Sequence, residues 1–151
     1  MPFDRLRANG GRFVSLRIAV QMDPIESINI AGDSSFALML SAQSRGHGVV
    51  HYDVGSLTLD ENDRLTALAS PVRVRRTAGS HFEKDEARRL DLGRDIDVVL
   101  MRQDPPFDMG YITATHLLER LAGETLVVND PASVRDAPEK VFVLDFRRFM
   151  P

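Results

Sequence analysis

The sequence has no cysteine and no tryptophan, and lysine is almost missing: of 19 basic residues, only Lys84 and Lys140 are lysines. Without cysteine there can be no disulfide, no thiolate nucleophile and no cysteine-ligated zinc. Long apolar runs are also missing, and a membrane-spanning helix needs about 20 apolar residues in succession. No Gly-x-Gly-x-x-Gly pattern occurs. Gly46-His47-Gly48 begins one and does not continue it, which argues against a dinucleotide cofactor. No glycine-rich loop ending in Lys-Ser or Lys-Thr is present to cradle phosphates. Nor is there an internal repeat or a low-complexity tract. Of the histidines, His47 and His51 are close in sequence but straddle a helix-to-strand change, and His81 and His116 stand apart. Zinc needs three or four placed ligands, so no metal site is expected from them.

What remains is the composition of a folded globular domain. A length of 151 residues suits one domain. Hydrophobic residues make up 43% and charged residues 27%, a balance that disordered chains do not show. A net charge of −3 argues against a basic nucleic-acid-binding face. Neither nucleic acid nor a membrane is expected as a partner.

The two ends read differently from the middle. Residues 1–15 show no period and carry Gly10-Gly11, so a disordered or unrelated extension is expected there, and Val14 is a candidate alternative start. At the other end Phe142, Leu144, Phe146 and Phe149 make an apolar stretch before Pro151, where a polar linker would usually stand. That pattern predicts that more protein should follow.

Between them the pattern is α/β. Leu16 to Met22 reads as a buried first strand. Asp33, Ser34 and Ser35 are N-cap residue types before a helix that should run to about Arg45, with Gly46 ending it. Gly48 to Tyr52 gives a second strand. Leu57–Leu59 and Leu65–Ala69 read as a small hairpin. Val72 to Arg75 alternates like an exposed edge strand, which makes Arg73, Arg75 and Arg76 a solvated face before an anion patch. Residues 77–94 are charged with few apolar anchors and read as a mobile loop. Ile96 to Met101 is a further buried strand, Gly110 to Leu121 a helix, and Leu126 to Val128 another strand. Short helices are expected near Ser133 and over 138–146. Three or four parallel strands, with helices on both faces, make a layered α/β fold of Rossmann-like type.

Ligands of such sheets bind beyond the carboxyl ends of the strands. Three ends carry the same signal here: Asp23-Pro24, Arg102-Gln103-Asp104-Pro105-Pro106-Phe107-Asp108, and Asn129-Asp130-Pro131. Each sets polar side chains at a strand tip and then stiffens the chain with proline. Taken singly they could be simple turns; taken together they describe a preorganised polar site. Pro105-Pro106 could include a cis bond. Arg102 is either half of an internal ion pair with Asp104 or Asp108, or a clamp for a carboxylate. The helix start at Ser34 could receive an anion, although capping alone would explain it.

These residues carry a resemblance. Met22-Asp23-Pro24-Ile25-Glu26-Ser27-Ile28-Asn29-Ile30, followed by Asp33-Ser34-Ser35-Phe36-Ala37-Leu38, is similar to the opening of the bacterial glutathione synthetases. So are Leu100 to Asp108, Tyr111 to Thr115, Val128 to Pro131, and Arg135 to Lys140. The resemblance runs from about Leu16 to Pro151. It implies a Rossmann-like pre-ATP-grasp domain over residues 16–138, with the start of an ATP-grasp unit over residues 139–151. It implies an ATP-dependent, magnesium-requiring ligase that joins γ-glutamylcysteine to glycine through an acyl phosphate, forms a homotetramer and works in the cytoplasm. By the same resemblance Asp23, Asn29, Ser34, Arg102 and Asp104 would line the substrate cleft and Lys140 would help bind ATP, with no catalytic residue and no metal ligand in this chain. Most of the ATP-grasp unit has no counterpart here, so the chain is expected to be inactive alone. A different reading is a non-catalytic binding or assembly module that pairs with a separate ATP-grasp chain.

Overall fold

A computed structural model describes residues 14–137 and 139–150; for Glu139 and Lys140 it describes the backbone alone. In chain order the elements are β1 (Arg17–Gln21), α1 (Ser34–Ser44), β2 (Gly48–Tyr52), β3 (Thr58–Leu59), β4 (Leu65–Val74), β5 (Phe82–Lys84), β6 (Arg88–Asp91), β7 (Val98–Met101), α2 (Met109–Glu119), β8 (Leu126–Val128), α3 (Pro131–Asp136) and α4 (Glu139–Phe142). The strand order is β3-β4-β2-β1-β7-β8, with β5 and β6 both pairing with β4. The ladders β2–β1, β1–β7 and β7–β8 are parallel, and everything that joins β4 is antiparallel. The four parallel strands and the Rossmann-like α/β layering are as the sequence predicts.

Alternation along β1 and β7 builds two cores from one sheet. Ile18, Val20 and Val98 face α1, where they meet Phe36, Met39 and Ala42. Ala19, Val99 and Met101 face the other way and meet Leu118 and Leu121 of the α2 side. Both helices begin on an aspartate cap that satisfies an orphan N–H. Asp33 Oδ1 accepts from Phe36 N at 2.6 Å, and Asp108 Oδ1 accepts from Tyr111 N at 2.9 Å. Gly46 and Gly123, at φ of 78° and 89°, take the left-handed turns that end the two helical segments.

The middle of the chain differs from its sequence reading. The hairpin of Leu57–Leu59 with Leu65–Ala69 forms, with Thr58 opposite Thr66 and Leu59 opposite Leu65, but Val72–Arg75 is not a separate strand; β4 is one ten-residue strand. In its first half it buries Leu65, Ala67 and Ala69 in the α2-side core. In its second half it buries Val72 and Val74 in the α1-side core. The buried face therefore changes at Ser70-Pro71 with no break in the strand, and a change of phase in the apolar pattern reads as two strands. Pro71, which cannot donate to a ladder, falls where β4 changes partner from β6 (up to Ala69) to β5 (from Val72).

Residues 77–94 are not a free loop either. They hold β5 and β6, and Leu90 and Leu92 are buried. The charges that suggest a loop are cross-strand partners: Arg73 lies 3.6 Å from Glu83 and 3.7 Å from Asp85, and Arg75 also pairs with Glu83. The same segment anchors the loop after β1. His81 Nε2 donates to the Ile25 carbonyl at 2.8 Å, and Lys84 Nζ donates to Glu26 Oε1 at 2.6 Å.

Two outcomes follow from this packing. Leu92→Ala should lower unfolding free energy in urea by about 2–5 kcal/mol, as a buried leucine does, whereas Leu68→Ala, at a position 46% exposed, should stay within about 0.5 kcal/mol. The Lys84 hydrogen bond holds the Glu26 carboxyl below its ordinary range. Its contribution is therefore present above about pH 4.3, the usual glutamate value, and fades as pH falls through the lowered one. In Lys84→Met the Glu26 midpoint in an NMR titration should rise toward the usual value.

Candidate functional site

After β1 the chain crosses through α1 to β2 on one side, and the next parallel strand, β7, enters on the other side of β1. The strand order reverses there, and the crevice at such a point lies past the carboxyl ends of the two strands. Met22-Asp23-Pro24 leaves β1 at this edge and Arg102-Gln103-Asp104 leaves β7. The ladder continues one step further, with Arg102 N donating to the Gln21 carbonyl at 2.8 Å. The Pro105–Pro106 bond beyond it is cis, as is Val128–Asn129.

The three residues after β7 reach three different partners. Arg102 points to the α1 side, where Nε donates to Ser35 Oγ at 3.2 Å and Nη2 to Ser34 Oγ at 2.7 Å. Gln103 is buried, and its Oε1 accepts from Gln21 Nε2. Asp104 offers its backbone N–H to Asp23 Oδ2 at 2.7 Å. The result is a clip across the crevice, with the guanidinium held at the first turn of α1.

Neither Asp104 nor Asp108 forms the internal ion pair that could have used Arg102. Asp108 is the cap of α2, and among the described residues the Arg102 guanidinium meets only the two serine hydroxyls. Its Nη1 makes no hydrogen bond there. A guanidinium fork matches a carboxylate geometrically and stays charged, so this is a cation aimed and left available. Tyr111 stands nearby: burial raises its phenol above the ordinary value, with opposing contributions from the charges of Arg102 and Asp104.

The other sequence candidates divide. Asp33, not Ser34, caps α1, and that frees the Ser34 hydroxyl for Arg102. Asn29 shapes the turn that leads into the cap: its Oδ1 accepts from Ala31 N at 3.2 Å, and its carbonyl accepts from Asp33 N. Among the described residues no hydrogen bond joins the third strand tip to the cluster. Asp130 caps α3 through Ser133 N at 2.8 Å, which holds its carboxyl below the ordinary range. Lys140 lies in α4, and its side chain is outside the described residues. His51 is buried below the site and donates to the Asp23 carbonyl at 3.2 Å, while His47 Nδ1 accepts from Leu16 N. His116 is exposed beside Glu119. Among the described residues no group of three histidine or carboxylate side chains is arranged to hold a metal. A cavity of about 690 Å³ runs from Leu16 and Asp97, at the starts of β1 and β7, past Ala122 and Leu126 to Asp130 beyond the end of β8. It shares no lining residue with the Arg102 cluster.

Gln21, Tyr52 and Gln103 are members of the site that the sequence reading did not single out. Tyr52 OH donates to Gln21 Oε1 at 3.0 Å, so a buried chain runs from Tyr52 through Gln21 to Gln103. The available signal was a glutamine in the apolar run Leu16 to Met22.

Residues 16–135 match the model of the prokaryotic glutathione synthetase N-terminal domain. The glutathione synthetase of Rhodopseudomonas palustris is 56% identical over 138 residues, which are 91% of this chain and 44% of that protein. That of Bradyrhizobium diazoefficiens is 54% identical over 91% of this chain and 43% of its own length. That of Shewanella oneidensis is 42% identical over 90% and 43%. The chain thus spans less than half the length of these relatives. Within that span, the match over residues 16–135 and the identity to these enzymes show that the chain belongs to the prokaryotic glutathione synthetase N-terminal domain family.

Proposed function

We propose that this chain supplies one wall of the substrate cleft of a glutathione synthetase, and that Arg102 receives a carboxylate of γ-glutamylcysteine. The observation that carries this is the Arg102 guanidinium itself. It is aimed by Ser34 and Ser35, has no carboxylate partner among the described residues, and stands where the strand order reverses. Asp23 and Asp104 form the opposite lip and would meet the amino group of the same ligand. Asn29 contributes by shaping the turn before α1.

The ligase reaction needs ATP and magnesium, and the described residues offer no cluster of side chains to hold the metal. We assign both to an ATP-grasp unit that begins near residue 139, with Lys140 at the junction, residues 16–138 as the pre-ATP-grasp domain and residues 1–15 as an extension. Val141, Phe142, Phe146 and Phe149 are between 45% and 71% exposed, an apolar surface that such a unit would cover. The same surface favours a second reading, in which the chain pairs with a separate ATP-grasp chain. A homotetramer working in the cytoplasm completes the proposal.

Coupled ADP release with γ-glutamylcysteine, glycine, ATP and magnesium tests it. The chain alone should show no turnover. Co-expressed with the remaining portion of the Rhodopseudomonas palustris enzyme, it should restore activity. In that pair Arg102→Ala should lower kcat/KM for γ-glutamylcysteine by about 10- to 150-fold, the scale of a charged hydrogen-bond pair, and Arg102→Lys by less. Turnover by the chain alone, or an Arg102→Ala pair as active as the parent, overturns the assignment.

A further inference from the structure

The buried amide chain of Tyr52, Gln21 and Gln103 has no role in the functional reading above, and it is an unusual thing to bury. Gln21 is fully buried, Tyr52 is 1% exposed and Gln103 is 8% exposed. They lie on the α2 side of the sheet, continuing a face that is otherwise apolar: Ala19, Val99 and Met101 precede them. The chain is also incomplete. Gln103 Nε2 is buried without a hydrogen-bond partner, one of two such side-chain atoms among the described residues. An unmet buried donor costs stability, and an apolar pair of similar shape would avoid that cost. Departures of this kind from good packing are expected where function is built.

Position supplies the reason. Gln103 stands between the two residues that make the clip. The neighbour before it sends its guanidinium to α1, and the neighbour after it gives its amide to Asp23. Alternation puts the Gln103 side chain on the opposite face from Arg102, so fixing one fixes the other. Beyond Met101 the β1–β7 register has ended. One backbone bond, Arg102 N to the Gln21 carbonyl, continues it, and the side-chain bond from Gln21 to Gln103 takes over as the next rung. Tyr52, the last residue of β2, holds Gln21 from the other side of β1.

We propose that Gln103 is a positioning residue. Through Gln21 and Tyr52 it fixes the direction of the Arg102 guanidinium and the Asp104 backbone N–H. Its importance to function rests on the reading of Arg102 given above, but the positioning itself does not require a ligand. A hydrogen bond between two amides replaces the missing ladder, and it fixes rotation about the strand axis as well as distance.

NMR on the isotope-labelled 151-residue chain tests this without ligand. The reporters are hydrogen exchange at the Asp104 amide and the Arg102 Nε–H resonance; Ala19 and Val99 amides report the sheet as a whole. In Gln103→Met and in the double variant Gln21→Met with Gln103→Met, Asp104 exchange should speed up about tenfold, the scale of one hydrogen bond. The Arg102 Nε–H should move toward its position in a free arginine, with Ala19 and Val99 unchanged. Tyr52→Phe, which removes one hydroxyl and keeps the fold, should shift both reporters the same way by less. Reporters that stay put in the Met variants and in Tyr52→Phe overturn the proposal. So do reporters that move only in step with Ala19 and Val99, or a double variant that returns them to the parent values. Should γ-glutamylcysteine fail to engage Arg102, these results would still stand or fall by themselves.

Discussion

β1 is flanked on both sides by strands parallel to it, and the Arg102 cluster depends on that double ladder. Gln21 pairs with Tyr52 on one side and with Met101 on the other. Those pairings bring the tips of three strands level at one edge. The edge then becomes a crevice because α1 leaves toward β2 while β7 enters from the other direction. Arg102 and Asp23 are distant in sequence and adjacent in space for this reason alone.

The two faces of the sheet divide the work. The α1 side meets the site with hydroxyls and a helix amino terminus, which suit an anion. The α2 side meets it with buried amides, which suit a fixed framework. Because side chains alternate, consecutive residues after β7 are sent to opposite jobs: Arg102 to the first, Gln103 to the second. Asp33 is part of the same economy. By capping α1 it releases Ser34 and Ser35, whose hydroxyls would otherwise be the natural caps. The two serines can then orient a charge without neutralising it.

The parallel half of the fold was legible in the sequence because its signals are local. Buried strands such as Ile96 to Met101 are short apolar runs, and α1 and α2 carry aspartate caps and glycine stops at their ends. The antiparallel half was legible only in its local hairpin, Leu57–Leu59 with Leu65–Ala69, since the rest is held by pairing across the chain. Residues 82–91 have few apolar anchors of their own and become strands only by lying against β4. Arg73 and Arg75 are exposed, as their alternation suggests, but their pairing with Glu83 and Asp85 cannot be read from local sequence. Within the site, Asp23, Arg102 and Asp104 announced themselves as polar residues at proline-stopped tips. Asp130 gave the same signal and turned out to be a cap, because an N-cap and a ligand-facing carboxylate look alike in one dimension. Gln21 and Gln103 were hidden for a different reason: the value of each lies in the other, 82 positions away.

β4 has a property that neither half of the sheet has alone. Its odd-numbered positions serve one core and its even-numbered positions the other, with the exchange at Ser70-Pro71. A slip of one residue would turn Leu65, Ala67 and Ala69 out of the first core and Val72 and Val74 out of the second in a single move. The strand is keyed like a lock with two sets of pins, and only one alignment satisfies both. Errors in the antiparallel lobe are thereby felt at once beneath α1, the helix whose first turn holds Arg102.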